Sequence, residues 1–300
     1  MAKFPLPDHA YNWVADFLLN RKHLTRFEQT LSTVLAINAS IIQGSVTGPT
    51  AYVLNASDLK TIEPSNSLDK YADDTYLIVP ASNSHTIPAE LDNVSAWAAA
   101  NNLSLNVAKS CEMIVRRPRL AINDPSIPPA LPEVKRVSEL NILGVRMSDR
   151  LEFTPHINHI TTAAVQSTYA LRVLRAHGLC GPRLWEVARA TAVSKLTYAC
   201  SAWWGFADSS GRSRLQAVIN KLVRLGFLSG KLSFAQICQE QDDNLFSQIL
   251  SNEHHVLHQL LPPVRNTPYS LRPRAHDREL PLANTTMRKN FIVRMLYSKL

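Results

Sequence analysis

The sequence lacks the patterns of a secreted, disulfide-bonded or membrane-spanning protein. Its 300 residues include only four cysteines, which lie far apart and form no Cys-x-x-Cys pair. In a chain of this length such cysteines indicate reduced thiols rather than a disulfide framework. There is no uninterrupted run of about 18 apolar residues that would span a membrane, and the first residues lack the apolar core of a signal peptide. We therefore expect an intracellular protein, in either the nucleus or the cytoplasm, with no membrane partner.

Acidic residues are too few to balance the basic ones. Lys and Arg total 32 against 24 for Asp and Glu, which gives a formal net charge of +8. A basic surface favours a polyanionic partner, with nucleic acid ahead of a membrane. Charge alone also fits a basic protein that has no such partner. The hydrophobic content of 45% is ordinary and is enough for a sizeable core.

Strand and helix signals change along the chain. Up to residue 150 strand-like and helical stretches alternate, and beyond it only the helical patterns are strong. The sequence predicts an α+β fold with a mixed domain over 1–150, a helical region over 151–230 and a C-terminal helical extension over 231–300. We expect helices over 7–20, 50–59, 88–103, 157–177, 183–203 and 211–228, hairpins over 68–79 and 137–147, and strands over 33–42, 103–106 and 111–115.

The most informative motif is Tyr71-Ala72-Asp73-Asp74, which lies between two apolar, β-prone stretches. These flanks predict a hairpin with the tetrad at its turn. Adjacent carboxylates repel each other, and a divalent cation removes that conflict, as the paired Mg²⁺ ions of many polymerases do. An ordinary Asp-Asp hairpin turn explains the tetrad equally well when it is taken alone.

Two further segments have both a plain and a functional interpretation. Gln43-Gly44-Ser45, followed by Gly48-Pro49, fits a simple strand-to-helix turn, and its glycine would also let bare backbone approach a nucleotide or a template base. Lys109 fits a solvated surface lysine. Next to a metal-bound triphosphate it would neutralise charge or protonate the pyrophosphate leaving group. Neither segment decides the function by itself.

The order of these motifs resembles the reverse transcriptases of LINE-type (non-long-terminal-repeat, jockey-like) retrotransposons. The segments 43–49, 71–74, 97–109 and 140–145 match that family's successive palm motifs. The similarity covers residues 7–150 and extends more weakly to residue 230. It implies a partial polymerase palm, built from an antiparallel sheet with helices, and then a helical thumb. It also implies RNA-directed DNA polymerase activity with Mg²⁺, deoxynucleoside triphosphates, an RNA template and a DNA primer.

The resemblance implies a catalytic role for three residues and a shaping role for two. Asp73 and Asp74 match the metal-binding carboxylates, and Asp73 is the more direct ligand. Lys109 matches the lysine of the fourth motif, a proposed general acid. Tyr71 and Ala72 match positions that shape the turn near the primer terminus and the nucleotide.

The resemblance also implies two binding elements. Gln43, Gly44 and Ser45 match the motif that contacts the template and the incoming nucleotide. Leu143 and Gly144 match the hairpin known in the family as the primer grip. The first of these elements is expected to bring bare backbone close to a nucleotide or a template base.

The resemblance is incomplete at its start. The family's first palm motif, a strand with a third metal-binding aspartate, would fall before the first residue. Asp8 and Asp16 are poor substitutes, because both belong to the helix that follows that strand; we expect Asp8 to cap this helix and Asp16 to be a surface charge. A two-ion site needs more ligands than Asp73 and Asp74 supply. We therefore expect the isolated chain to bind nucleic acid weakly without polymerising. The alternative is a non-catalytic remnant or host-retained protein.

Histidine pairs are weaker candidates for metal binding. His254 and His258 would lie one turn apart on a helix, a geometry that can hold zinc. No cysteine or acidic ligand is evidently paired with them, so an exposed helix face is favoured. The same interpretation applies to His156 and His159. Trp203-Trp204 fits either base stacking or a core anchor, and we expect a core anchor.

Overall fold

Two compact units divide the chain, Met1–Val107 and Ala108–Leu300. The computed structural model describes residues 6–37, 45–117, 120, 124–125, 127–265 and 276–299. Within these ranges no helix is long and apolar enough to cross a membrane. The mixture of helices and small sheets agrees with the predicted α+β class. The boundaries near 150 and 230 stay predictions.

The first unit contains three α-helices and three antiparallel strand pairs among its described residues. Strand β1 pairs with β4, β2 with β3, and β5 with β6. The elements are α1 (Asp8–Leu18), β1 (Arg21–His23), β2 (Arg26–Phe27), β3 (Thr30–Leu31), β4 (Leu35–Ile37), α2 (Gly48–Asn55), β5 (Ser67–Tyr71), β6 (Asp74–Ile78) and α3 (Ile87–Ala100).

Proline and asparagine mark the helix ends as the sequence predicts. Pro49 and Pro88 lie in the first turns of α2 and α3, where a missing N–H costs nothing. Asn102 follows α3 with a φ of +55°, the left-handed conformation that asparagine tolerates. The predicted capping role of Asp8 is wrong, because Pro7 is the N-cap and Asp8 is the first helical residue. There its charge favours the helix dipole instead.

Two predicted strands differ from the structure. Residues 103–106 form no strand: Leu103 and Leu105 are exposed, and no described segment pairs with this stretch. The strand expected over 33–42 is present only as Leu35–Ile37, and residues 38–42 lie outside the described part. Strand formation needs a partner as well as suitable residues.

The second unit contains two short strand pairs followed by helices. Strands β7 (Cys111–Glu112) and β8 (Lys135–Arg136) are parallel, whereas β9 (Glu139–Ile142) and β10 (Val145–Ser148) form an antiparallel hairpin. The described strands of the chain therefore form five separate two-stranded sheets and not the single antiparallel sheet that we expected. The helices are α4 (Thr154–Ala176), α5 (Gly181–Ala188), α6 (Ser194–Thr197), α7 (Cys200–Trp203), α8 (Ser209–Arg224), α9 (Phe234–Ser251) and α10 (Phe291–Ser298).

The single helix predicted over 183–203 is wrong in one respect. A π-helical turn, Arg189–Val193, separates α5 from α6, and the chain then leaves the helix at Tyr198 before α7 begins. Ala199 at this break has a φ of +48°, although neither glycine nor proline is present there. The residue types at the break therefore do not explain it.

Most of the core lies in the second unit. One cluster joins β10 to helices α4 through α9, and a smaller one joins α9 to α10. Trp203 and Trp204 are buried, so the predicted core role of this pair is confirmed. Among the described hydrophobic residues of the first unit, only Ala56, Leu59 and Ala98 are buried. All four cysteines are free thiols, as predicted.

An ion pair and a glycine hold the C-terminal segment onto the helices of the second unit. Asp242 in α9 accepts a hydrogen bond from Arg294 in α10 at 2.7 Å. Arg294 also donates to the carbonyls of Lys289, at 3.1 Å, and Ser201, at 3.4 Å. A Cβ on Gly205 would lie only 2.1 Å from the Lys289 carbonyl oxygen, so this close approach requires glycine.

The buried carboxylate of Glu90 fixes the segment that leads into β5. It accepts hydrogen bonds from the backbone N–H groups of Ile62, at 3.0 Å, and Glu63, at 2.9 Å. The Asn66 amide, directly before β5, donates to it at 2.9 Å. Burial raises the pKa of Glu90, but these three hydrogen bonds outweigh burial and leave the pKa below its ordinary value. Helix α3 thereby anchors the β5–β6 hairpin.

Replacing Glu90 with glutamine is expected to lower the free energy of unfolding at pH 7 by about 1–3 kcal/mol, because an amide cannot accept three donors. The lowered pKa means that the carboxylate contributes above its ordinary pKa and loses that contribution as the pH falls through the lowered value. The difference between variant and wild type should therefore shrink in acid. Urea unfolding at pH 7 and pH 3.5 measures it. The exposed Asp92 on the same helix supplies the control Asp92→Asn, and an equal effect of both substitutions would contradict the assignment.

Candidate active site

The predicted Asp-Asp hairpin is present in the first unit. Tyr71, the last residue of β5, pairs with Asp74, the first residue of β6, so Ala72 and Asp73 form a two-residue turn. Ala72 has a φ of +51°, in the left-handed region that such tight turns require. Asp73 and Asp74 are both exposed. The turn therefore presents two successive carboxylates at the tip of a hairpin.

One face of the β5–β6 hairpin attaches it to the rest of the first unit. Lys70 in β5 donates hydrogen bonds to the carbonyls of Ala56, at 2.5 Å, and Leu59, at 2.8 Å, just after α2. The cross-strand pair of Leu68 and Leu77 lies on the same face and is half-buried. Because side chains alternate between the two faces of a strand, the Tyr71–Asp74 pair is left on the opposite face.

Helix α2 lies within electrostatic reach of the carboxylate turn. Burial raises the pKa of the Tyr52 phenol, and the negative charge of Asp73 raises it further. Ser45, the described residue of the predicted template-binding motif, lies shortly before this helix and is half-buried. Gln43 and Gly44 lie outside the described residues. The start of α2 and the turn thus belong to one region of the first unit.

The donor set at the turn fits Mg²⁺ in part. Among the described residues, neither Asp73 nor Asp74 forms a side-chain hydrogen bond or an ion pair, so their oxygens are available as ligands. Mg²⁺ typically binds one or two carboxylates together with substrate phosphates and water. A group of three or more metal-ligating side chains is not found in the part of the chain that the structure describes. Asp73 and Asp74 are thus the carboxylates that the turn offers to an ion.

The helical zinc geometry considered for His254 and His258 is wrong. Helix α9 ends at Ser251, so neither histidine lies on it. His258 lies in a short 3₁₀ turn, where its Nε2 atom is 3.2 Å from Arg278 Nη2. The sequence pattern continues the helix, but the chain leaves it at Asn252.

The predicted general acid Lys109 belongs to the second unit. It is exposed, at the end of a turn over 107–109 and two residues before β7. The β9–β10 hairpin, with the predicted primer grip, also belongs to this unit. The predicted site residues are therefore distributed over both units.

Leu143 and Gly144 form the two-residue turn between β9 and β10. Their φ angles are +48° and +88°, which satisfies the positive φ that a tight hairpin turn demands. The Tyr198 hydroxyl donates a 2.9 Å hydrogen bond to the Leu143 carbonyl. Its ring packs on Gly144, where an added Cβ would lie 3.3 Å from the ring. Sequence reasoning did not identify Tyr198, because it lies 55 positions from Leu143.

A second contact attaches strand β10 to the helices. The buried His156 ring accepts a hydrogen bond at Nδ1 from the Arg146 N–H at 3.4 Å and packs edge-on against Trp203 at 5.2 Å. Burial lowers the pKa of His156 to about 4, and the charges of His159 and Arg146 lower it too. The imidazole is therefore neutral at pH 7. Sequence reasoning interpreted this histidine as part of an exposed helix face, which is wrong.

The free energy of unfolding of the second unit is expected to fall as the pH drops from 6.5 to about 4. His156 has a pKa of 6.5 in the unfolded chain and of about 4 in the folded protein. In this range the unfolded chain binds the extra proton, so the loss reaches on the order of 3 kcal/mol. Replacing His156 with glutamine should flatten this dependence in urea unfolding. The same substitution at the exposed His159 is the control, and equal pH slopes for wild type and both variants would contradict the prediction.

Comparison with known proteins bears on the same residues. Residues 1–147 match the family model described as reverse transcriptase (RNA-dependent DNA polymerase). Residues 1–147 belong to the reverse transcriptase family. This segment contains the carboxylate turn, the Ser45 region, Lys109 and the Leu143–Gly144 turn. No solved structure matches the chain.

Curated relatives of this reverse transcriptase segment come from mobile elements. The chain is 27% identical over 237 residues to the probable RNA-directed DNA polymerase from transposon X-element of Drosophila melanogaster, with 74% of this chain and 25% of the relative covered. It is 27% identical over 193 residues to the RNA-directed DNA polymerase from mobile element jockey of the same species, with 61% and 20% covered. The resemblance to the LINE-type, jockey-like family is thus confirmed. The chain spans about a quarter of the X-element protein.

Proposed function

We propose that this chain contributes the carboxylate turn and the primer-contacting hairpin of an RNA-directed DNA polymerase. The reaction is the template-directed addition of deoxynucleotides to a DNA 3′ end, with RNA as the template. One observation carries the proposal: the tight turn at Ala72 and Asp73 presents two exposed, unpaired carboxylates within the segment that matches the family. Free carboxylates at a rigid turn are suited to hold Mg²⁺ beside a triphosphate.

The regions of the chain are assigned by comparison with the palm and thumb domains of the family. Residues 1–150 are proposed as a partial palm, residues 151–230 as a thumb-like helical region and residues 231–300 as a C-terminal helical extension. The α+β content and the two antiparallel hairpins, over 67–78 and 139–148, support this assignment. The long helices after β10 support the second part of it.

Asp73 and Asp74 would hold the Mg²⁺ ions, with Asp73 as the more direct ligand. Bound Mg²⁺ stabilises the charge that develops on the transferring phosphoryl group. Lys109 would provide the proton or positive charge that the pyrophosphate leaving group needs, a role that its exposed ammonium group allows. Tyr71 and Ala72 hold the turn in shape.

Nucleic acid would be held at two other places. Gln43, Gly44 and Ser45 are proposed to contact the template and the incoming nucleotide, and the position of Ser45 shortly before α2 supports this. Leu143 and Gly144 are proposed as the primer grip, since their tight turn presents backbone at a hairpin tip. The net charge of +8 favours both contacts.

Primer extension on an RNA template tests the proposal. The assay uses a DNA primer with a recessed 3′ end, deoxynucleoside triphosphates and Mg²⁺. It is run on this chain and on a version extended upstream in its own reading frame through the first palm motif. We expect extension by the longer version only, and dependence on Mg²⁺. Absence of synthesis by both, with nucleic-acid binding retained, would support the non-catalytic alternative and contradict the proposal.

A further inference from the structure

The break at Tyr198 is the feature that neither the local sequence nor the family motifs explain. The helical run that begins at α5 contains a π turn and then ends at Thr197, and Ala199 adopts a left-handed conformation. A non-glycine residue in this conformation costs free energy and persists only where the surroundings hold it. π turns are likewise found frequently at functional sites. The chain is therefore held in an unfavourable path at Tyr198 by other contacts.

Those contacts come from both sides of Tyr198. The Trp203 indole, fully buried in the core, donates a 3.0 Å hydrogen bond to the Tyr198 carbonyl and fixes the backbone. The side chain extends outward, where its hydroxyl donates to the Leu143 carbonyl at 2.9 Å and its ring covers Gly144. Tyr198 thus joins the core of the second unit to the tip of the β9–β10 hairpin.

The hairpin does not need Tyr198 in order to pack. Val145 is buried in the core, Met147 packs against it, and Arg146 donates its N–H to His156. Tyr198 itself is 54% exposed, so little of its surface is buried in the core. The hydrogen bond from the Tyr198 hydroxyl instead fixes the position of the Leu143 carbonyl at the turn.

We propose that Tyr198 is a positioning residue for the primer 3′ end, which acts through the turn at Leu143 and Gly144. This inference rests on the proposed function, in which that turn grips the primer. The hydrogen bond to the Leu143 carbonyl restricts the motion of that carbonyl group. The ring of Tyr198 restricts the motion of the backbone at Gly144. The primer terminus then meets a preorganised surface instead of a turn that must be ordered on binding.

The test compares Tyr198→Phe with Tyr169→Phe in the full 300-residue chain. Both substitutions remove one phenolic hydroxyl, but Tyr169 on α4 is 73% exposed and makes no side-chain hydrogen bond among the described residues. Fluorescence anisotropy measures the Kd for two RNA–DNA hybrids, one with a recessed DNA 3′ end and one blunt. The ratio of the two Kd values reports recognition of the 3′ end and not general affinity for nucleic acid.

We expect Tyr198→Phe to weaken binding of the recessed hybrid about two- to tenfold, the effect of one neutral hydrogen bond, with the blunt hybrid unchanged. Hydrogen exchange of the amides over 139–148 should accelerate by a similar factor, while the thermal midpoint of unfolding falls by no more than the few degrees that one such hydrogen bond is worth. Incorporation of 4-aminophenylalanine at position 198 restores a donor and should restore the ratio. Tyr169→Phe should match wild type in every measurement.

The outcomes separate the two proposals. A wild-type chain that does not prefer the recessed hybrid would contradict the primer-grip assignment, and the role of Tyr198 with it. A wild-type preference that Tyr198→Phe retains in full would contradict the role of Tyr198 alone. Faster exchange over 139–148 without a change in the Kd ratio would reduce Tyr198 to a structural contact and would also overturn the inference.

Discussion

Replacing Asp73 or Asp74 with asparagine is expected to reduce Mg²⁺-dependent primer extension about 10²- to 10⁴-fold in the upstream-extended version of the chain. Asparagine keeps the size of the side chain but removes the negative charge that, under the proposal, holds the ion. Metal stabilisation of the transition state is worth several kcal/mol, and each 1.36 kcal/mol is tenfold in rate. Single-turnover extension with a saturating primer–template measures the effect on chemistry. Because Asp73 is proposed as the more direct ligand, we expect its substitution to have the larger effect.

The matched control is Asp69→Asn on the same hairpin. Asp69 pairs with Tyr76, lies on the same face as Asp74 and is exposed, but it is removed from the turn. Its substitution changes the net charge by the same amount and should leave extension within about twofold of wild type. Equal losses from Asp69→Asn and Asp74→Asn would show a general charge effect and would argue against metal ligation at the turn.

Replacing Arg294 with methionine is expected to lower the free energy of unfolding of the second unit by about 3–5 kcal/mol, because it leaves Asp242 buried without its cation. The Asp242 carboxylate is 1% exposed, and its Oδ1 atom already has no hydrogen-bond partner in the described structure. The guanidinium also bonds the carbonyls of Lys289 and Ser201, so the C-terminal segment should detach from the helices first. Urea unfolding, together with hydrogen exchange over 276–299, measures both effects.

A neighbouring ion pair provides the control. Lys299, directly after α10, contacts Asp243, the residue after Asp242 in α9, at 2.8 Å, but both side chains are about one-third exposed. Such a pair is worth at most about 1 kcal/mol, so Lys299→Met should have little effect. Adding Asp242→Asn to Arg294→Met should recover part of the stability, since no uncompensated charge remains. A cost of Arg294→Met below that of Lys299→Met would contradict the account.

Local signals predicted the two hairpins and the end of helix α3 correctly. Tight turns and caps depend on a few consecutive residues, so the hairpins at Asp73 and at Gly144 and the end of α3 at Asn102 could be identified from the sequence. The strand predicted over 103–106 failed because a strand also needs a partner, which sequence periodicity does not reveal. The helix expected around His254 failed because α9 ends earlier than its pattern suggests.

The sequence did not predict which polar residues are buried. Glu90 looks like one of several acids on an amphipathic helix, and only its three hydrogen bonds identify it as the anchor of the carboxylate hairpin. His156 looked exposed, yet it is buried between β10 and Trp203. The sequence shows that such residues are polar, but not which donors and acceptors surround them.

The sequence by itself determined the family, the order of its motifs and the presence of two adjacent carboxylates at a hairpin turn, because each of these depends on residues close together in the chain. Only the tertiary structure decided what holds the elements in place. The hydrogen bond from Tyr198 to Leu143 spans 55 positions, and the one from Arg294 to Asp242 spans 52. Contacts at such separations depend on how helices and strands pack, and packing is a property of the whole second unit rather than of any segment within it.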